Sequence, residues 1–243
     1  MKVAAQLYTL RELVRDRSQV PAVLGRLREI GYEFVEMASI QPSAAELAAA
    51  NLGVCATHES LASLTSDLDA VIQRCVEWRC RYVVVPSLPE EYHSEEGFRR
   101  FAAEAGDIAF ELRPHGLELA YHNHDFELRR WDGRTGLEIL FDSVAGDHLK
   151  AELDTYWLQS AGASPVEWIH RLGSRAKLVH LKDMVDGRQT EVGRGVIDWH
   201  AVLGACRDAG TEWLIVEHDD PEGDPLDSLA VSHRNLMEML RTV

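Results

Sequence analysis

Eight short runs rich in β-branched and aromatic residues recur along the chain, at residues 3–8, 32–37, 54–58, 81–86, 117–122, 149–154, 178–182 and 213–218, with a helix-like segment between each and the next. Helical periodicity is plain in Val20, Val23, Leu24, Leu27 and Ile30, in Leu68, Val71, Ile72, Cys75 and Val76, and in Phe98, Phe101, Ala102, Ala105 and Ile108. Near-continuous apolar strands, each followed by an amphipathic helix, imply a parallel sheet covered by helices, and eight such units are the number that closes a barrel. The competing arrangement is an open doubly wound sheet. Its glycine fingerprint is missing, because the first strand runs into Tyr8-Thr9-Leu10-Arg11-Glu12 without a glycine. The sequence therefore predicts an α/β fold, a (β/α)8 TIM barrel, as a single domain over residues 1–243.

Helix punctuation agrees with this division. Pro21 suits a first helical turn, Gly31 and Gly53 follow helices, and Ser164-Pro165-Val166-Glu167 reads as an N-cap followed by Pro and Glu. The longest loops expected to reach a ligand are residues 124–135, after the fifth strand, and 184–196, after the seventh.

The hydrophobic share of 46% and charged share of 27% are ordinary globular usage. With 25 Lys and Arg against 40 Asp and Glu, the formal charge of -15 would repel a phosphate backbone, so no nucleic-acid partner is expected. Cys55, Cys75, Cys80 and Cys206 form no CxxC pair and read as reduced core thiols. The N-terminal apolar run is broken by Gln6 and Tyr8 and lacks a signal-peptide centre, and no uncharged stretch reaches the roughly 18 apolar residues of a membrane helix. The expectation is a soluble, cytoplasmic protein without a membrane partner; a homo-oligomer is compatible with the sequence.

Function in a parallel barrel collects at the strand C-termini. Here the fifth strand ends Tyr121-His122-Asn123-His124, the sixth Glu152-Leu153-Asp154, the seventh reads His180-Leu181-Lys182-Asp183, and the eighth ends Glu217-His218-Asp219. Side chains alternate along a strand, so His122 with His124, Glu152 with Asp154, and His180 with Lys182 each share a face. His122, Asp154, His180 and Glu217 would offer two imidazoles and two carboxylates from adjacent strands, a set suited to one divalent ion such as Mn, Zn, Co or Fe more than to Ca. His122 lies deeper and is assigned to the metal, His124 to the substrate or to the ligands' surroundings. Lys182 is an acid/base candidate whose ammonium a neighbouring cation would disfavour. Gln6, Tyr8, Glu36 and His58 on the first three strands, with Glu59 beside them, could surround a polyhydroxylated ligand, and Trp157 could wall its pocket. Arg129-Arg130 and Asp219-Asp220 read as solvated loop charges.

Through these residues the chain resembles the xylose isomerase-like TIM-barrel superfamily, in particular the sugar phosphate isomerase/epimerase group that includes inosose dehydratase and ketose 3-epimerases. The likeness runs from Gln6-Leu7-Tyr8-Thr9-Leu10-Arg11 through Gly31-Tyr32-Glu33-Phe34-Val35-Glu36. It is densest in Tyr121-His122-Asn123-His124-Asp125-Phe126-Glu127 and continues in Leu153-Asp154-Thr155-Tyr156-Trp157, His180-Leu181-Lys182-Asp183, Gly193-Arg194-Gly195-Val196-Ile197-Asp198 and Val216-Glu217. The family's epimerases hold their metal with Glu, Asp, His and Glu from the same strands, and the glutamates also shuttle the proton; the matching positions are His122, Asp154, His180 and Glu217. Histidine at 122 keeps a ligand but removes one carboxylate base, which looks more like the dehydratase branch, where proton abstraction beside a ketone precedes loss of a β-oxygen substituent. The resemblance also implies Arg194 as a substrate contact.

The expectation is a metal-dependent isomerase or epimerase that moves a proton next to the carbonyl of a small keto-sugar or keto-polyol, using Glu217 with His124 or Lys182. The alternatives are a dehydratase or lyase on a keto-inositol or keto-sugar, and a non-catalytic sugar-binding barrel. An endonuclease-like phosphodiesterase on this fold would need a basic mouth, against the net charge.

Overall fold

The computed structural model of the protein describes residues 1–242. Eight parallel strands close a barrel: β1 (Lys2–Gln6), β2 (Phe34–Met37), β3 (Gly53–His58), β4 (Tyr82–Val85), β5 (Glu118–His122), β6 (Lys150–Asp154), β7 (Ala176–Leu181) and β8 (Trp213–Val216). Each strand pairs with its neighbours in sequence, and β1 closes on β8 through Lys2↔Trp213 and Ala5↔Val216. Every run expected from the sequence is a barrel strand. The first is shorter than expected because Gln6 turns its side chain onto the backbone N–H of Tyr8, ending the strand in a short 3-10 turn over Leu7–Leu10.

Alternation of side chains divides the apolar residues into two sets. Ala4, Cys55, Ala56, Tyr82, Val84, Ala120, Leu178, Trp213 and Ile215 fill the lumen. Their strand neighbours, such as Ala5, Val35, Val83, Leu119, Val179 and Leu214, pack outward against the helices. Toward the C-terminal ends the inward positions turn polar, with Gln6, Glu36, His122, Glu152, Asp154, His180 and Glu217 all buried. The floor of the site is therefore a packed core, and the polar groups stand on it. All four cysteines are free and buried.

The helices include α1 (Val20–Ile30), α2 (Ala44–Ala50), α3 (Leu61–Ser66), α4 (Leu68–Trp78), α5 (Glu95–Leu112), α6 (Gly136–Ser143), α7 (Thr155–Ser160), α8 (Pro165–Leu172), α9 (Trp199–Ala209) and α10 (Pro225–Met239). The Ser164 hydroxyl accepts the Glu167 N–H at the start of α8, as its sequence implies. Gly31 closes α1 in a left-handed conformation, whereas α2 is closed by Asn51 at φ 56°, two residues before Gly53. Among the described residues no helix is long and apolar enough to cross a membrane.

The two long loops are more ordered than their composition suggests. Arg130–Trp131 pairs antiparallel with Arg134–Thr135, and Asp183–Val185 with Arg188–Thr190. Each ribbon turns on an Asp-Gly pair with positive φ at both residues, Asp132-Gly133 and Asp186-Gly187, which is a two-residue hairpin signal.

Candidate metal centre at the barrel mouth

The ends of β5 to β8 bring buried imidazoles and carboxylates face to face. Asp154, His180 and Glu217 place one ligand atom each within 4.8 Å of the others, and so do His58, His122, Glu152 and His180, with His180 common to both groups. His180 Nδ1 lies 2.7 Å from Glu217 Oε2, while its Nε2 lies 2.6 Å from Glu36 Oε2. His122 is similarly divided, with Nδ1 3.1 Å from Glu152 Oε2 and Nε2 3.6 Å from Asp154 Oδ2. Each histidine thus turns one nitrogen toward the candidate ligand set and rests the other on a carboxylate. That is how proteins orient metal-binding imidazoles and fix their tautomer.

The donor set fits a divalent cation on a second count. Asp154 Oδ1 accepts the N–H groups of Tyr156 and Trp157 at the start of α7, and its Oδ2 faces the Lys182 ammonium at 3.2 Å. Glu36 Oε1 and Glu152 Oε1 are buried without a hydrogen-bond partner among the described residues. A buried carboxylate oxygen without a donor is costly, and a cation is its natural complement. Burial also raises Asp154 to a pKa of about 6, against the pull of Lys182.

Beneath the candidate ligands lies a relay that single-strand reasoning did not assemble. Gln6 Nε2 donates to Glu36 Oε2 at 2.6 Å, and His58 Nε2 sits 2.7 Å from Glu152 Oε2 and 3.5 Å from Glu36 Oε2. Gln6 and Glu36 were expected at the substrate, but both are fully buried below the mouth cavity. Glu36 carries His180 instead, at 2.6 Å from its Nε2. Burial, and then Glu152, push Glu36 up to a pKa of about 7. Glu152 was recognised only as sharing a face with Asp154. It becomes the hub for His58, His122 and His180 once the barrel closes, at 2.7, 3.1 and 3.2 Å.

Above the cluster opens a cavity of about 650 Å3, lined by Tyr8, His58, His122, His124, Trp157, Lys182, Glu217 and Asp219, among others. Arg194 is not among them. It faces a neighbouring cavity over the seventh-strand ribbon and pairs with Glu191 at 3.3 Å, since the Asp183–Val185 ribbon carries residues 193–197 sideways off the mouth.

Lys182 was expected to have its ammonium disfavoured by a neighbouring cation; among the protein's own groups burial opposes the charge, but Asp154, Glu217 and Asp219 outweigh it and hold the lysine well above its ordinary range. Its Nζ lies 2.8 Å from Glu217 Oε2, 3.2 Å from Asp154 Oδ2 and 3.0 Å from Asp219 Oδ2. Asp219 was read as a solvated charge. It forms the third of these pairs and also accepts from Gln189 Nε2. Its place two residues after Glu217, just beyond the end of β8, was the available signal.

His124 stands at the rim between Trp157, at 5.2 Å between ring centres, and His122, at 5.1 Å. Among the described residues its Nδ1 is buried without a hydrogen-bond partner, as is Trp157 Nε1. Burial and Lys182 press the imidazole down to a pKa of about 4, so it is neutral near pH 7. Its backbone is pinned by Glu127, which accepts the His124 N–H at 2.9 Å and the Tyr121 hydroxyl at 2.6 Å. Asn123 accepts the Asp154 N–H at 3.0 Å, locking β5 to β6.

The family model for the xylose isomerase-like TIM barrel matches residues 12–242. The chain belongs to this family. Among solved structures of the same fold, a sugar phosphate isomerase/epimerase from Parabacteroides distasonis ATCC 8503 is 21% identical, with a TM-score of 0.82 over 97% of this chain and 93% of that one. An L-ribulose 3-epimerase is 16% identical, with a TM-score of 0.76 over 100% of this chain and 95% of that one. The IOLI protein, with a zinc atom, is 16% identical, with a TM-score of 0.74 over 100% and 99%. No curated protein sequence matches the chain. At these identities the structures establish the shared barrel, and the xylose isomerase-like assignment rests on the family model.

Proposed function

We propose that this xylose isomerase-like barrel is a divalent-metal-dependent isomerase or epimerase that transfers a proton next to the carbonyl of a small keto-sugar or keto-polyol. The observation that carries this reading is the paired orientation of His122 and His180, each with one nitrogen toward Asp154 or Glu217 and the other on a buried carboxylate, beneath a polar cavity. His122, Asp154, His180 and Glu217 would hold the ion, and its chemistry there is Lewis-acid polarisation of a carbonyl and adjacent hydroxyl. The zinc-bearing IOLI structure and the epimerase of the same fold are consistent with that chemistry.

Glu217 is the proton carrier. Its carboxylate lines the cavity, and although burial opposes ionisation, Lys182 and His180 hold it well below the usual carboxylate range, so it stands ionised beside the cavity. Lys182, 2.8 Å from Glu217, would steady the carboxylate with its ammonium. His124, neutral and unpartnered at Nδ1, is placed to exchange a proton with a hydroxyl or carbonyl oxygen across the cavity. Trp157 and the walls of the cavity exclude bulk water from one side.

The test is turnover of a keto-sugar panel in deuterium oxide by metal-loaded and metal-stripped protein. Deuterium gained at the carbon beside the carbonyl, with the rest of the mass retained, is expected only for the loaded protein. Full turnover after stripping overturns the reading. A second reading, dehydration, is favoured by the imidazoles of His122, at the end of β5, and His124, just beyond it, where a second carboxylate base would serve epimerisation; loss of water in the same assay identifies it.

A further inference from the structure

The ends of α1, α2, α4 and α9 share one backbone pattern. A left-handed residue, Gly31, Asn51, Arg79 or Gly210, closes each helix. The N–H of the residue after it then reaches back five positions, from Tyr32 to Leu27, Leu52 to Leu47, Cys80 to Cys75 and Thr211 to Cys206, at 3.2, 3.0, 2.8 and 2.9 Å. This pattern sets the two side chains it joins against each other beneath the helix end. All eight residues are buried. At α1 and α2 the pair is an ordinary core contact, Leu with Tyr and Leu with Leu. Of the four ends, only that of α4 has cysteine at both positions.

The backbone holds this pair at bonding range. The 2.8 Å hydrogen bond from the Cys80 N–H to the Cys75 carbonyl, taken with standard backbone bond lengths, keeps the two Cα atoms within about 6.7 Å of each other. Disulfides span roughly 4.4–6.8 Å between Cα atoms. The thiols themselves meet: the Cys75 thiol beside it, and then burial, push the Cys80 thiol well above its ordinary range. The other two cysteines are placed differently. Cys55 belongs to the lumen set and its Sγ donates to the Val35 carbonyl at 3.3 Å, whereas Cys75 and Cys80 pack with the outer set. Cys206 has Thr211 at the matching position.

We propose that Cys75 and Cys80 are a covalent modification site, a dithiol that a peroxide closes into a disulfide fastening the end of α4 to the start of β4. Cys80 is 4% exposed against 0% for Cys75, so it reacts first. Its sulfur takes one oxygen of hydrogen peroxide to become a sulfenic acid, and the other oxygen leaves as water. The Cys75 sulfur then attacks the sulfenic sulfur, and the hydroxyl departs with the Cys75 proton as a second water. Two thiols are oxidised to one S–S bond while one peroxide is reduced to two waters. Burial and the protonated state of Cys80 keep the first step slow. The corner lies at the N-terminal end of β4, opposite the mouth, so the bond forms whether or not an ion is held there.

The experiment treats the reduced full chain with hydrogen peroxide until the exposed Met237 is converted to its sulfoxide, then unfolds it in iodoacetamide and maps the tryptic peptides. Trypsin cuts after Arg74, Arg79 and Arg81, so the expected bond joins peptide 75–79 to peptide 80–81. Cys55 and Cys206 are expected to be alkylated in the same sample, and all four cysteines after a thiol reductant. Alkylation of both Cys75 and Cys80 at that peroxide dose, or links through Cys55 or Cys206, would overturn the proposal. So would a 75–80 bond that forms only when the peroxide is added in urea. Cys75→Ala and Cys80→Ala are each expected to leave the remaining thiol unlinked, and a disulfide from either to Cys55 overturns the pairing. The oxidised parent is expected to melt at a higher temperature than the reduced one; no rise would overturn the fastening.

Discussion

His122 and His124 stand two residues apart on one strand end but have different surroundings. His122 is braced by Glu152 and faces Asp154, whereas His124 has no partner at Nδ1 and lies against Trp157. His122→Ala is expected to weaken metal binding by at least about tenfold, while His124→Ala retains the ion and loses turnover; metal content after dialysis, beside kcat, separates them. Glu36 lines no part of the cavity and is outside the candidate ligand set, yet it holds His180 Nε2. Glu36→Gln is expected to cost about 10–100-fold in metal affinity, with an unchanged far-ultraviolet spectrum. Glu127 bears on pH. Burial raises its carboxyl from 4.5 to about 8, so the folded state binds a proton there that the unfolded chain has released. Its stabilising contribution is therefore fully present below about pH 4.5 and is lost as pH rises through about 8. Thermal melts of Glu127→Gln should show a shallower loss of stability across that window than the parent.

Asp183 acts on a whole element. One of its carboxylate oxygens accepts the N–H groups of Gly193 and Gly195 and the Trp199 indole N–H, and the other accepts those of Met184 and Ile197, binding residues 193–199 to the end of β7. Gly195 is required by that approach, because a Cβ there would come within 2.3 Å of Asp183 Oδ1 and of the Met184 carbonyl oxygen. The family stretch Gly193-Arg194-Gly195 is thus explained by packing around a carboxylate. Asp183→Ala and Gly195→Ala are each expected to destabilise the protein by about 2–4 kcal/mol. Faster amide exchange across residues 188–199 should accompany the loss, with the strands of the barrel still protected; uniform exchange through the whole chain would place the effect elsewhere.

At the scale of the whole barrel, the orphaned carboxylate oxygens and the ring of acids around Lys182 concentrate uncompensated charge at one end of the molecule. A ligand that binds only the folded state stabilises it in proportion to the logarithm of its concentration. Stripping with a chelator should lower the melting temperature, and adding Mn2+ or Zn2+ should restore it, with about 2.7 kcal/mol gained at a free ion concentration a hundred times Kd. A melting temperature indifferent to chelator and ion would remove the case for the centre.

Much of this architecture was legible in the chain because it depends on local periodicity. The eight strands followed from runs of apolar residues, and their ends were legible because inward and outward positions alternate, which placed His122, Asp154, His180 and Glu217 at the mouth before any contact was known. The Asp-Gly turns were also legible, though a composition-based view of loops passed over the ribbons they make. The sequence could not show depth or partnership across the lumen. Glu36 and Glu152, on different strands, meet His180 only because the closed barrel's stagger brings β2, β6 and β7 to one level, and two register shifts help to set that level. The same closure turned Asp219 inward onto Lys182 while the β7 ribbon carried Arg194 away from the mouth. Local sequence determined which residues reach the strand ends; closure of the sheet decided which of them meet, because such contacts depend on barrel stagger rather than on separation along the chain.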